Sequence, residues 1–224
     1  MIRSDVAVLQ GVDLTQVLIV LTVLIASLSV HEAAHAFAAD RLGDPTARHL
    51  GRLSLNPAVH VDPIGTILFP LIAFFSGVPL IGWAKPVPVD TRHLKNPKRD
   101  FAIVAAAGPA SNVVMAVVGA MVLEVVGNFA TPGDIAALAV VRPAIQLLRV
   151  FVYLNVLLAV FNMIPVPPLD GGNVLIGVLP ANTARWVEQL RPYGILILYA
   201  LMLTGVLSTL LGPVATYLLY LLGI

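Results

Sequence analysis

Between Asp13 and Asp40 the chain reads LTQVLIVLTVLIASLSVHEAAHAFAA, and the only ionisable residues in that run are His31, Glu32 and His35. About 20 consecutive apolar residues suffice to cross a bilayer as a helix. Such a run reads as a transmembrane helix. Further spans are predicted over 101–127, 143–164 and 193–211. The tail GPVATYLLYLLGI is too short to cross alone and is expected to lie at the interface or to continue a kinked helix. Only 11% of the 224 residues are charged, against about 25% in a soluble domain. The expected fold is therefore an all-α polytopic membrane protein with about 4–6 transmembrane helices. The whole of 1–224 reads as one membrane-embedded domain, with a core over 14–175 and C-terminal helices over 193–224. A cleavable signal peptide is not expected, because Arg3 is the only basic residue near the start and Asp5 and Asp13 oppose it. Nothing in the sequence points to nucleic acid.

His31 and His35 sit one turn apart on the same helix face, so both imidazoles can reach one ion. Glu32 lies beside them, able to touch a water on that ion. This is the HExxH spacing of two zinc ligands and a general base. An ionisable group in a membrane helix costs several kcal/mol unless it is paired or functional. The chain has no cysteine, so a third ligand must be a histidine or a carboxylate. The candidates are His49, His60, His93 and the acidic residues. Asp170 is the best placed, since in PPLDGG two prolines stop a helix and Gly171 and Gly172 let the backbone turn the carboxylate inward.

The motifs HEAAH, AAGPASN and FNMIPVPPLDGG, in that order over about residues 29–175, resemble the site-2 protease family of intramembrane zinc metalloproteases. The resemblance is to compact members without a PDZ or nucleotide-sensing domain. It implies one Zn2+ held by His31, His35 and Asp170, with Glu32 as catalytic base and Asn112 facing the substrate carbonyl. It also implies a transmembrane protein substrate met in the lipid bilayer, and a cell membrane as the setting. The competing class is a non-enzymatic metal-handling membrane protein, a transporter or a sensor, for which Glu32 has no use.

Residue positions supply an independent test. At 1.5 Å per residue, His31 lies roughly 14 Å and His35 roughly 8 Å inside Asp40, and Asn112 roughly 18 Å inside Asp100. These depths agree only if 63–83, interrupted by Pro70, Gly77 and Pro79, dips in and returns as a re-entrant hairpin. The metal side then carries Arg41, Arg48, Arg52, Lys85, Arg92, Lys95, Lys98, Arg99, Arg185 and Arg191, leaving Arg3, Arg142 and Arg149 opposite. The excess of cations puts the active site toward the cytosol.

Two loop stretches, RLSLN and AKPVPVD, are expected to form a small β element near the site, where an unwound substrate could add as a strand. His60 and Asp62 read as a structural tie rather than a second metal site, because two ligands make a poor one. His49 and His93 are expected in solvent. Asn155 and Asn162 are either packing glue between helices or part of the substrate path. Glu124 and Arg149 read as interfacial or snorkelling charges.

Overall fold

The computed structural model describes residues 14–78, 81–128 and 135–224, with side chains from 141 onward in the last segment. The readings placed on Arg3, Asp5, Asp13 and Pro79 lie outside these residues. The helices are α1 (Leu14–Leu42), α2 (Phe69–Ser76), α3 (Pro97–Asn128), α4 (Ile135–Asn162), α5 (Asp170–Val178), α6 (Ala181–Gln189), α7 (Gly194–Leu203) and α8 (Val206–Leu221). Helical turns also occur at Thr46–His49, Pro57–Val59, Pro63–Leu68, Thr91–His93 and Arg191–Tyr193, and there is no strand among the described residues.

Among the described residues, three helical stretches are long and apolar enough to cross a membrane: Leu14–Leu42, Pro97–Asn128 and Val141–Asn162. The C-terminal helices add a fourth if their two halves, bent by 79°, count as one span. The span expected over 193–211 is thus broken. Its break is Gly205, whose φ of 74° is left-handed and ends α7. Of the two readings of the tail, the kinked helix is the one observed: most of it is the second half of α8, continuous through Pro213. Pro143, expected to open a span, lies inside α4.

The long helix α3 is central and packs against α1, α4 and α5. Its buried positions include Ala102, Ala105, Gly108, Ala116 and Gly119, small residues that let neighbouring backbones come close. At Gly119 an added Cβ would sit 2.8 Å from the Phe151 ring of α4. Ala116, Val152, Val156 and Ala215 form the buried apolar cluster joining α3, α4 and α8. The large side chains Val114, Val118, Met121 and Val125 stay exposed on the outer face of α3, as suits a surface solvated by acyl chains.

Residues 63–83 do turn back. Asp62 caps the segment by accepting from the N–H groups of Ile64 (3.0 Å) and Gly65 (2.8 Å). Helix runs from Pro63 to Ser76, a length of roughly 21 Å at 1.5 Å per residue, against a core of about 30 Å. Gly77 then ends it in the left-handed region with φ 69°. The returning chain bonds back to where it entered. Trp83 N–H donates to Gly65 O (3.2 Å), Thr66 Oγ1 to Trp83 O (2.8 Å), and Lys85 N–H to His60 O (2.8 Å).

Beyond Trp83 the chain has no regular structure and pairs with no strand, so the expected β element is absent among the described residues. RLSLN is likewise irregular, with a bend at Leu53 and Ser54. The reason is visible in the donors. Pro86 and Pro88 have no N–H, and those of Lys85, Val87 and Asp90 go to His60 O, Glu32 and Asp44. Residues 84–90 form a strap tied to α1 by Glu32 and to the loop after it by Asp44 and by Arg52, which donates to Lys85 O at 2.5 Å.

Candidate metal centre

One turn of α1 carries His31, Glu32 and His35, all buried at 4%, 9% and 8% exposure. Asp170, the first residue of α5, reaches the same point from the far end of α4. The His31 and His35 Nε2 atoms are 3.0 Å apart, and Asp170 Oδ2 lies 3.2 Å from the first and 3.4 Å from the second. Among the described residues these three form the only group of ligand-type side chains with atoms close enough to share an ion.

The donor set fits a tetrahedral divalent metal. With ligand bonds of about 2.0–2.1 Å, neighbouring donor atoms around zinc stand about 3.3 Å apart, close to the observed triangle. His35 Nδ1 lies 2.7 Å from the Val104 carbonyl, which can only accept, so Nδ1 carries the hydrogen and Nε2 presents a lone pair. Asp170 Oδ2 is buried and has no hydrogen-bond partner. Electron pairs converging in a buried place with nothing to donate to them call for a cation.

Room for that ion is made by Gly108 of α3. A Cβ there would fall 2.3 Å from His35 Nε2 and 2.6 Å from His31 Cε1. Gly171 and Gly172 serve closeness rather than the turn expected of them. They lie inside the first turn of α5. A Cβ on either would stand 2.3–2.4 Å from the Met163 or Pro167 backbone.

Glu32 Oε2 accepts a hydrogen bond from Val87 N–H of the strap at 2.9 Å. With the three ligand residues it lines a cavity of about 920 Å³, whose remaining wall includes Phe69, Trp83, Phe161, Leu198 and Tyr199. Of the C-terminal helices, α7 therefore helps to wall the site. Asn162, Asn173 and Arg191 add polar groups to this wall, with Arg191 donating to Asn173 at 2.8 Å.

Asn112, expected to face the substrate carbonyl, contacts His31 in this structure. It is fully buried and absent from the cavity wall. Its Oδ1 lies 2.6 Å from His31 Nδ1 and its Nδ2 donates to Asn155 Oδ1 at 2.8 Å. Asn155 in turn donates to Ser27 Oγ at 2.9 Å.

His60 is buried and its Nε2 donates to Ser54 O at 2.7 Å, while Asp62 is spent on its helix cap. Both are structural ties. His49 is exposed, and His93, half exposed, stands 3.2 Å from Asp44. Glu124 and Arg149 are exposed, with no ion pair between them. Sequence reasoning did not single out Gly108, Ser27 or Val87. For Gly108 the available signal was its place in AAGPASN; for the other two there was none.

Comparison with known proteins agrees with this geometry. Residues 19–205 match the peptidase family M50. The chain is 36% identical to "Putative zinc metalloprotease YwhC" of Bacillus subtilis over 85% of its own length and 82% of that protein's. It is 34% identical to "Putative zinc metalloprotease Rip2" of Mycolicibacterium smegmatis, over 81% of this chain and 65% of that one. A Rip2 of Mycobacterium tuberculosis is 28% identical over 183 residues. No solved structure matches. With its paired histidines, its carboxylate from a second helix and a family match covering most of its length, the chain belongs to peptidase family M50.

Proposed function

We propose that this protein is an intramembrane zinc metalloprotease that hydrolyses peptide bonds within or next to the transmembrane segments of protein substrates. His31, His35 and Asp170 hold the zinc, and Glu32 is the general base. The observation that carries this reading is the triangle of 3.0, 3.2 and 3.4 Å between ligand atoms drawn from two helices, with Glu32 on the same cavity wall.

Bound there, zinc acts as a Lewis acid that makes water available as a nucleophile near neutral pH and polarises the scissile carbonyl. Glu32 takes the proton of the attacking water and delivers it to the leaving nitrogen. Val87 N–H steadies one carboxylate oxygen and leaves the other for that exchange. The apolar wall of Phe69, Trp83, Phe161 and Leu198 excludes bulk water and suits an apolar peptide segment. Asn112, having both ends of its amide engaged, acts on His31 rather than on substrate.

The chain works as a single membrane-embedded unit in the cell membrane, with the site toward the cytosol. In support, Arg48, Arg52, Lys98 and Arg191 all bond within the end of the molecule that carries the metal ligands, to Asp40, Lys85 O, Leu179 O and Asn173.

The test is Glu32→Gln, co-expressed with a panel of single-span membrane proteins. Glutamine still accepts from Val87 N–H, so zinc content stays at the wild-type level while cleavage falls by about 10²–10⁴-fold. Cleavage at the wild-type rate overturns the mechanism and leaves a metal carrier or sensor as the better account.

A further inference from the structure

The ring of His31 is held by side chains alone, and the order of their bonds can be read from one fixed point. Asn155 lies within α4, and one end of its amide is 2.8 Å from the Phe151 carbonyl. A backbone carbonyl only accepts, so the Asn155 atom facing it is Nδ2. The same Nδ2 reaches Ser27 Oγ on α1 at 2.9 Å. Its Oδ1 therefore points the other way, at Asn112, and accepts from Asn112 Nδ2 at 2.8 Å. That leaves Asn112 Oδ1 as the atom 2.6 Å from His31 Nδ1. Nδ1 must donate, and Nε2 is left with its lone pair beside His35 and Asp170. Asn112, Asn155 and Ser27 are all fully buried, so no solvent competes for these bonds.

We propose that Asn155 and Asn112 form a one-way amide relay, anchored on the Phe151 carbonyl and buttressed by Ser27, that locks His31 in the tautomer able to bind metal through Nε2. Both asparagines are positioning residues. The two histidines reach the same state by different routes. His35 donates directly to the Val104 carbonyl, whereas His31 stands one helix further from a usable carbonyl and needs two amides to reach one. The relay also joins α1, α3 and α4 at the depth of the site, so the helices that form the cavity set the ligand. This inference rests on the assignment of His31 as a zinc ligand.

The experiment measures zinc affinity by chelator competition on purified, metal-stripped full-length protein, together with the ¹⁵N shifts of the His31 ring in the metal-free wild type. His31→Ala tests the assignment itself; if it binds zinc as wild type does, the underlying ligand reading fails. With that control satisfied, Asn155→Leu lowers zinc affinity by about 10–100-fold. Ser27→Ala changes it by less than about threefold, because the Phe151 carbonyl still orients Asn155. The decisive comparison is in an Asn112→Asp background. A carboxylate accepts from His31 Nδ1 whatever its neighbour does, and its second oxygen would face Asn155 Oδ1 as acceptor against acceptor, so there Asn155→Leu brings no further loss of affinity. An equal loss in both backgrounds means that Asn155 only packs, and overturns the relay, as does wild-type affinity in Asn155→Leu. The ring shifts need no variant. Hydrogen on Nδ1 is expected, and hydrogen on Nε2 overturns the proposal.

Discussion

Replacing Gly108 by alanine sets two effects of opposite sign against each other. Within a helix, alanine is favoured over glycine by about 0.8–1 kcal/mol, so α3 by itself should gain. The added carbon, however, would lie 2.3 Å from His35 Nε2, 2.5 Å from His35 Cε1 and 2.6 Å from His31 Cε1. Ordinary non-bonded contacts are about 3.5–4.0 Å, so a ring has to retreat by roughly 1 Å, while metal sites tolerate ligand shifts of about 0.2 Å. His35 is fixed at its other nitrogen by the Val104 carbonyl at 2.7 Å, so retreat also breaks that bond. If about 10–16 kcal/mol of zinc binding is shared among four ligands, losing one costs roughly 2.5–4 kcal/mol. Gly108→Ala should therefore weaken zinc binding by about 10²–10³-fold and abolish cleavage. Chelator competition on detergent-purified protein reads the first, and product formation from a single-span substrate reads the second. Thermal unfolding of the metal-free protein shows whether the fold survives. Zinc affinity within about threefold of wild type, with cleavage intact, would refute the claim that α3 makes room for the ion at this residue.

The strap gives two further predictions. Gly65→Ala would put a Cβ 2.4 Å from the Trp83 ring, forcing the returning chain off the re-entrant helix. We expect a destabilisation of about 1–3 kcal/mol and weaker cleavage with zinc content unchanged, read by Trp fluorescence, proteolysis and metal analysis; unchanged fluorescence and rate would contradict the packing. Asp44, which anchors the far end of the strap by accepting from Asp90 N–H at 2.7 Å, is raised in pKa by burial. Hydrogen bonds from the Thr46 hydroxyl and N–H, from Asp90 N–H and from His93 outweigh this and hold it below the ordinary carboxylate value. A group whose pKa is lower folded than unfolded stabilises above its unfolded pKa and loses that contribution on acidification. Protection of the 90–93 amides, taken relative to the intrinsic exchange rate at each pH, should therefore fall as pH drops below about 3.8, and Asp44→Asn should lower it at neutral pH by weakening bonds worth about 1–3 kcal/mol. A protection factor that does not change with pH in the wild type would show that the carboxylate does not hold this loop.

What the sequence made legible follows the range of the interactions involved. His31, Glu32 and His35 were readable because a single helical turn brings them together. Asp170 was readable because two prolines and two glycines announce a break at membrane depth. Asn112 was found, but its contact with His31 was not, since whether an amide faces a cavity or a ring nitrogen depends on the α1–α3 and α3–α4 packing. Asn155 looked like interhelical glue, and it is that, yet only the Phe151 carbonyl reveals the direction of its bonds. The helix ends moved by a few residues because Pro143 and Pro213 are absorbed within helices. By contrast, Gly205, with its positive φ, breaks a run that hydropathy alone treats as continuous.

The strap shows why alternation of side chains misleads beside a membrane site. AKPVPVD has the period of a strand, and a strand would need its N–H groups in a ladder. Two of those positions are proline, and the N–H groups of Lys85, Val87 and Asp90 are taken by His60, Glu32 and Asp44. The helix before the strap is too short to cross, so its return delivers residues 84–90 to the mouth of the cavity, where Arg52 and His60 hold them by backbone contacts. Backbone without a sheet is tolerated there because the bonds of Lys85, Val87 and Asp90 replace ones that water would otherwise supply. The consequence reaches the chemistry. Val87 N–H meets Glu32 only while the hairpin holds its register, so the carboxylate proposed as general base is oriented by the same segment that turns back at Gly77.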